Sequence, residues 1–442
     1  MRLPAFPPAL LLLVLVSLMS YQLTSTASAQ LDFEKAPIDY GQTEANDSVA
    51  QLSRAIDEGR ETLEYSAEHG WLPSLLEKLN ISPDSQTLVF SKTSLQLHKI
   101  SPRTPRALYF NDDVYVGWCQ RGDLVEIAAT DPLQGAVFYT VDQDPTKPVK
   151  IVRDRGQCLT CHATNRTQGV PGYLVRSVYS DNNGRPRSGT RTYVTDHTTD
   201  MDERFGGWYV TGEHGSMRHM GNVFATDRSE PELIDREAGC NRQQLEELFD
   251  TTPYVRPTSD MVAIMTLEHQ TQMHNLIARA SFETRIAGYY DRGINEALER
   301  PEDTVSPSTQ RRIAAAGEAL VRYMLFAEEF KLECPIEGHS KFVEAFQDSS
   351  NPQWIGDSQG RSLRQLDLSQ YMFKYPCSYL VYTAAFDALP APMMEFVRNR
   401  VTEVLTASRT PEGYERLSDA DRAAVREILT ETKPGFLVEA SL

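Results

Sequence analysis

Cys158-Leu159-Thr160-Cys161-His162 constrains this chain more than any other stretch of it. Cys-x-x-Cys-His is the spacing at which a c-type haem is attached. Two thiols become thioethers on the porphyrin vinyl groups, and the adjacent imidazole coordinates the iron. A chain built around this pentapeptide must leave a slot for a flat, rigid, largely apolar group beside one turn of backbone. A redox Cys-x-x-Cys pair has no need of the following His and sits where a strand runs into a helix. A structural zinc site needs a second ligand pair, and no other Cys-x-x-Cys occurs here. The motif therefore predicts one covalent haem c, with Cys158 and Cys161 as attachment points and His162 as proximal iron ligand.

Attachment of this kind takes place outside the bacterial cytoplasm, so the motif also predicts export. Arg2 precedes an apolar run, Ala9 to Met19, and Ala27-Ser28-Ala29 offers small residues for cleavage. The expectation is a signal peptide over 1–29 and a periplasmic or secreted product. An uncleaved anchor over Phe6 to Leu23 is the alternative. No later stretch is apolar enough to cross a membrane. The net charge of -17 argues against nucleic acid as a partner. Cys119, Cys240, Cys334 and Cys377 lie outside the motif, and sequence leaves their three possible pairings open.

The hydrophobic pattern changes period twice. Residues 30–85 read as an N-terminal helical segment, with one helix from Asp47 or Ser48 toward His69 and another opened by Pro73. From Gln86 short alternating strands follow: Thr87–Phe90, a hairpin of Ala107–Phe110 with Val114–Trp118, then Leu124–Ala128 and Ala136–Val141. Tyr173–Tyr179, Arg191–Thr195 and Gly207–Val210 continue the strand pattern beyond the haem motif. After residue 230 the chain reads as helical, at 243–249, 260–287, 308–330, 395–405 and 420–429. The expected class is α+β, with an antiparallel-sheet haem domain over 86–230 and a mainly helical domain over 231–442.

The ligand opposite His162 decides what a haem here does. Gly212 to Asn222 packs His214, Met217, His219 and Met220 between glycines. His219 is the expected distal ligand, with Met217 and Met220 as alternatives. His269 is a further alternative, on an apolar helical stripe with Met265, Met273 and Leu276, where a hydrogen-bonded core role is the commoner outcome. Arg166, Arg176 and Arg191 are candidates for pairing with haem propionates.

Several blocks carry a resemblance. Thr167-Gln168-Gly169-Val170-Pro171-Gly172, Gly206 to Gly212 and Arg218-His219-Met220-Gly221-Asn222 form the first set. Glu268-His269-Gln270 through His274-Asn275, and Tyr375-Pro376-Cys377-Ser378-Tyr379-Leu380, form the second. In these the chain resembles large secreted bacterial cytochrome c domain-containing proteins with a single Cys-x-x-Cys-His motif, whose function is unassigned. The resemblance implies roles for Cys158, Cys161 and His162 alone. A looser similarity is to c-haem sensor domains with a PAS-like sheet, which implies a fold for the strand-rich region and no function. Compact all-helical cytochromes c are a poor match, because strands flank the motif here.

The leading expectation is an exported monohaem c-type cytochrome passing single electrons to or from a redox partner protein, rather than an enzyme. A haem enzyme of peroxidase type is the second reading, with His214, His219 or Glu268 as acid–base group. A haem-based redox or gas sensor is the third.

Overall fold

The computed structural model describes residues 32–438, so the expected signal peptide lies outside the described residues. Asp47 caps the first helix, its carboxylate accepting the N–H groups of Val49 and Ala50, and α1 runs Ser48–Asp57. It ends well short of His69, because Gly59 takes a positive φ of 71° just past the last turn. The Pro73 helix is α2, Leu72–Lys78.

The strands follow in order: β1 Thr87–Val89, β2 Arg106–Phe110, β3 Val114–Trp118, β4 Leu124–Asp131, β5 Gly135–Asp142 and β6 Ile151–Arg153. The Cys-x-x-Cys-His motif then forms one helical turn, α3, Leu159–His162. β7 (Arg176–Val178) and β8 (Thr192–Val194) pair as a separate ribbon, and β9 (Trp208–Tyr209) returns to the main sheet. That sheet has seven antiparallel strands in the order β6-β5-β4-β3-β2-β1-β9. β10 (Gly212–Glu213) pairs with β11 (Glu337–Gly338).

Side chains alternate across such a sheet. Ala107, Tyr109, Val116, Val125, Val137 and Val141 pack on one face, against the N-terminal segment and the far half of the longest helix. The opposite face carries Leu108, Tyr115, Ala128 and Phe138 and joins a core shared with the C-terminal helices.

That longest helix, α4, spans Met261–Ala297 and is capped by Asp260, whose side chain also receives Ser340 Oγ at 2.7 Å. It continues ten residues past the expected end, because its last turns leave the core and Tyr290, Ile294 and Leu298 stand exposed. Every residue from Met261 to Thr271 is buried, so the helix has no apolar stripe there but is enclosed on all sides. α5 (Pro307–Met324), α6 (Phe342–Phe346), α7 (Ala384–Asp387), α8 (Ala391–Thr406) and α9 (Asp419–Thr432) complete the helical half. α4 packs on α5, α5 on α8, and α8 on α9. Residues 243–249, expected as a helix, form turns that bury Leu245 and stack Phe249 on Tyr209 at 4.7 Å between ring centroids. A seven-residue stretch gains little from helix formation alone, and packing decides its shape.

No helix among the described residues is long and apolar enough to cross a membrane. The six cysteines are unpaired, with Cys119 and Cys377 fully buried. Burial pushes both thiols up to about 12, as for inert core residues.

The β2–β3 turn is tied to α4. Gln270 Nε2 donates to Asn111 O at 2.8 Å, and His274 Nε2 bonds Asp112 O at 2.7 Å. Burial holds the His274 imidazole down at about 4. Its folded value lies below that of an unfolded histidine, so the unfolded chain takes up the proton first. The stability it contributes is complete above about pH 6.5 and is lost as pH falls toward 4. Asp113, raised to about 7 by burial and by Asp112, acts in the opposite sense. His274→Asn is therefore expected to flatten the acid limb of the stability curve by about 3 kcal/mol between pH 7 and 4, read from urea midpoints.

Candidate haem-binding site

One helical turn brings the motif to a single face. His162 N and Cys161 N both donate to Cys158 O, at 3.0 and 3.1 Å, so positions i, i+3 and i+4 lie side by side. Cys158 and His162 are half-buried and Cys161 is exposed. All three line a cavity of about 630 Å³ against the open face of the sheet.

The strand alternation explains its walls. Leu108, Gly117, Glu126 and Thr140 lie along one cross-strand row, and Tyr115, Ala128 and Phe138 along the next. Gly117 leaves space for Arg106, since a Cβ there would fall 2.1 Å from Arg106 Nη2. Across that gap Arg106 reaches Glu126 at 2.6 Å, and Gln96 Nε2 and Ser94 Oγ also donate to Glu126, at 3.2 and 3.3 Å. Trp208, Val175 and Leu267 supply further apolar lining.

The loop after the motif fixes the imidazole. His162 Nδ1 bonds Gly172 O at 3.0 Å, and Gly172 N donates back to His162 O at 2.8 Å. Gly172 lies too close to α4 for a side chain, because a Cβ would sit 2.3 Å from Asn275 Oδ1. Asn275 then clamps the next residue, accepting Tyr173 N at 2.8 Å and donating to Tyr173 O at 2.9 Å. A histidine held at Nδ1 by a backbone carbonyl keeps Nε2 as its ligating nitrogen, the arrangement found at haem and zinc sites. Burial lowers the His162 imidazole below its ordinary value, which favours the neutral, metal-binding form. The Cys158 thiol is pushed up to about 12 by burial and by Asp154, unlike the depressed thiol of a redox Cys-x-x-Cys pair.

Arg166 and Arg176 also line the cavity, and neither guanidinium has a carboxylate partner among the described residues. Burial and the neighbouring Arg166 hold Arg176 below its ordinary value. Arg191 lies away from the cavity, its Nε 3.1 Å from Glu232. Two thiols on one turn, an anchored imidazole, an apolar slot and two unpaired cations at the rim fit the donor set and shape of a haem with its propionates.

The residues expected opposite His162 are elsewhere. Among the described residues, the cavity lining contains no imidazole besides His162 and no thioether. His219 is buried in the loop Val210–Asn222, its ring 4.8 Å from that of His214. Asn222 closes this loop by bonding Val210 N and Val210 O, each at 2.8 Å. Met217 is a core residue, and Met220 Sδ accepts from Ser177 Oγ at 3.6 Å. His269 is bonded through Nδ1 to His197 Nδ1 and through Nε2 to Ser378 Oγ, both at 2.8 Å. It is the hydrogen-bonded core histidine of the blander expectation. Glu268 pairs with buried Arg204 at 3.1 Å, and neither it nor His214 lines the cavity. Gly172 and Asn275 stand in the resemblance blocks without a role there, and the Arg106–Glu126 pair has no sequence signature. Only the small residues Gly117 and Gly172 hinted at close approach.

No protein-family model matches the chain, and no curated protein and no solved structure is significantly similar to it.

Proposed function

We propose that the chain is an exported monohaem c-type cytochrome, holding haem c through Cys158 and Cys161 with His162 Nε2 on the iron. The observation that carries this reading is the anchored His162, which faces, with both motif thiols, one cavity of about 630 Å³. Haem supplies reversible one-electron chemistry, and the protein sets its potential and exposure. Arg166 and Arg176 are placed to hold the propionates, and the apolar sheet face excludes water from the porphyrin plane. Cys161, exposed at the cavity mouth, puts one edge of the group where an electron can pass to a partner protein.

A second reading, binding of a small exogenous ligand as a redox or gas sensor, is favoured by a cavity lined by one imidazole and no thioether. A ligand-bearing turn over an antiparallel sheet also supports the PAS-like comparison. Optical and EPR spectra of the purified protein test both readings. A low-spin haem that ignores carbon monoxide supports the electron carrier. A high-spin ferric haem whose ferrous form binds carbon monoxide supports the ligand-binding reading. Absence of haem overturns both.

Arg176→Ala is expected to lower the midpoint potential by roughly 50 mV, about 1 kcal/mol for one electron. Loss of a nearby positive charge favours the ferric state, and a spectroelectrochemical titration reads the shift.

A further inference from the structure

A second cluster of ligating side chains lies outside the haem cavity. His214, His219 and Cys240 each offer one ligand atom, and these atoms lie within 4.8 Å of one another. They come from two segments that the fold locks together. Asn222 closes the loop carrying both histidines, and its Nδ2 also donates to Gly239 O at 2.8 Å. Gly239 packs so closely on this loop that a Cβ would fall 2.3 Å from Gly221 O, which sets Cys240 beside the rings.

From this geometry we infer that His214, His219 and Cys240 form a site for one borderline-soft transition-metal ion, zinc or copper. Two imidazoles and a thiol are the donors such ions select over magnesium or calcium. Three protein ligands leave a fourth position, and Met217 O, 3.8 Å from Cys240 Sγ, lies at the cluster. Metal–nitrogen and metal–sulfur bonds of about 2.0 and about 2.3 Å require donors about 3.5 Å apart. The cluster, whose ligand atoms lie within 4.8 Å of one another, therefore closes by at most about 1.3 Å on loading.

A second observation points the same way. His214 is fully buried, and its Nδ1 has no hydrogen-bond partner. Its Nε2 accepts Asn241 N at 3.1 Å, so the proton sits on Nδ1, near the backbone of Met217 and His214 but without a well-formed hydrogen bond. His219 Nδ1 likewise accepts Gly221 N, at 2.9 Å. A neutral imidazole has one lone-pair nitrogen, so loading gives up both backbone bonds, and binding through His214 Nδ1 moves the ring proton to Nε2. Cys240 loses its thiol proton to solvent as the metal–sulfur bond forms, with no change of oxidation state. Arg218 lies across the same loop, donating to Met217 O at 2.8 Å and pairing with Glu237.

The site stands apart from the haem reading, and iron serves as an internal count of haem. The test is elemental analysis of the full chain, produced in a host that matures c-type cytochromes, in media supplemented with zinc or with copper. One zinc or copper per chain is expected, and which ion loads identifies the metal. Cys240→Ser and His214→Asn should each lower that content at least about tenfold while iron stays unchanged. In the wild-type protein, alkylation of Cys240, followed by peptide mapping, should be blocked by zinc and restored by a chelator. Three results overturn the inference. One is zinc and copper no higher than in Cys240→Ser, with no protection from alkylation. Another is a Cys240–Cys334 disulfide in the wild-type protein. The third is a His219→Asn variant whose haem spectrum changes while no second metal is found, which returns His219 to the iron.

Discussion

Replacing Cys158 and Cys161 together by serine is expected to abolish covalent pigment, leaving a chain that shows no haem stain after denaturing electrophoresis. The effect is all-or-none because the thioethers are the only bonds that survive denaturation, and no other cysteine can replace them. Cys119 and Cys377 are fully buried, and neither Cys240 nor Cys334 lines the cavity. His162→Ala should separate attachment from ligation, with pigment kept and spin state and potential altered. Unchanged staining of the double variant would refute the assignment of the two thiols.

The largest effect on stability is expected at Asn275. Among the described residues its amide is the sole partner of both Tyr173 N–H and Tyr173 O in a buried segment. Asn275→Ala leaves two backbone groups unsatisfied, at about 1–3 kcal/mol each, so a loss of about 3 kcal/mol is predicted from urea unfolding. A structural role alone would end there. Gly172, which anchors His162 Nδ1, precedes Tyr173 directly, so the variant should also broaden the haem EPR lines as the imidazole loses its fixed orientation. A destabilised protein with unaltered EPR lines would mean that the loop does not hold the imidazole.

Local signals were legible in the sequence. The motif is five consecutive residues, and one helical turn suffices to bring Cys158, Cys161 and His162 together. The alternation in Ala107–Phe110, Val114–Trp118, Leu124–Ala128 and Ala136–Val141 located four strands, because a half-buried sheet imposes period two. Asp47 and Pro73 marked helix starts through capping chemistry.

What sequence could not show depends on contacts between distant segments. His219 was expected at the iron from its ligand type and the glycines bounding its loop, yet Asn222 and Gly239 fold that loop onto Cys240. Thr167–Gly172 and His274-Asn275 stood out as blocks with no assigned chemistry. Their purpose is visible only where Asn275 meets the loop that holds His162, a contact spanning 102 residues. His269 with Met265, Met273 and Leu276 read as one apolar stripe, but this part of α4 is enclosed on all sides, and each face has its own partner.

The most direct test of the account is the intact mass of the chain purified from a host equipped for cytochrome c maturation, recorded under denaturing conditions beside its visible spectrum. The expected result is a mass raised by one haem, with the absorption of a c-type haem. A colourless protein with the mass of the unmodified polypeptide would contradict it.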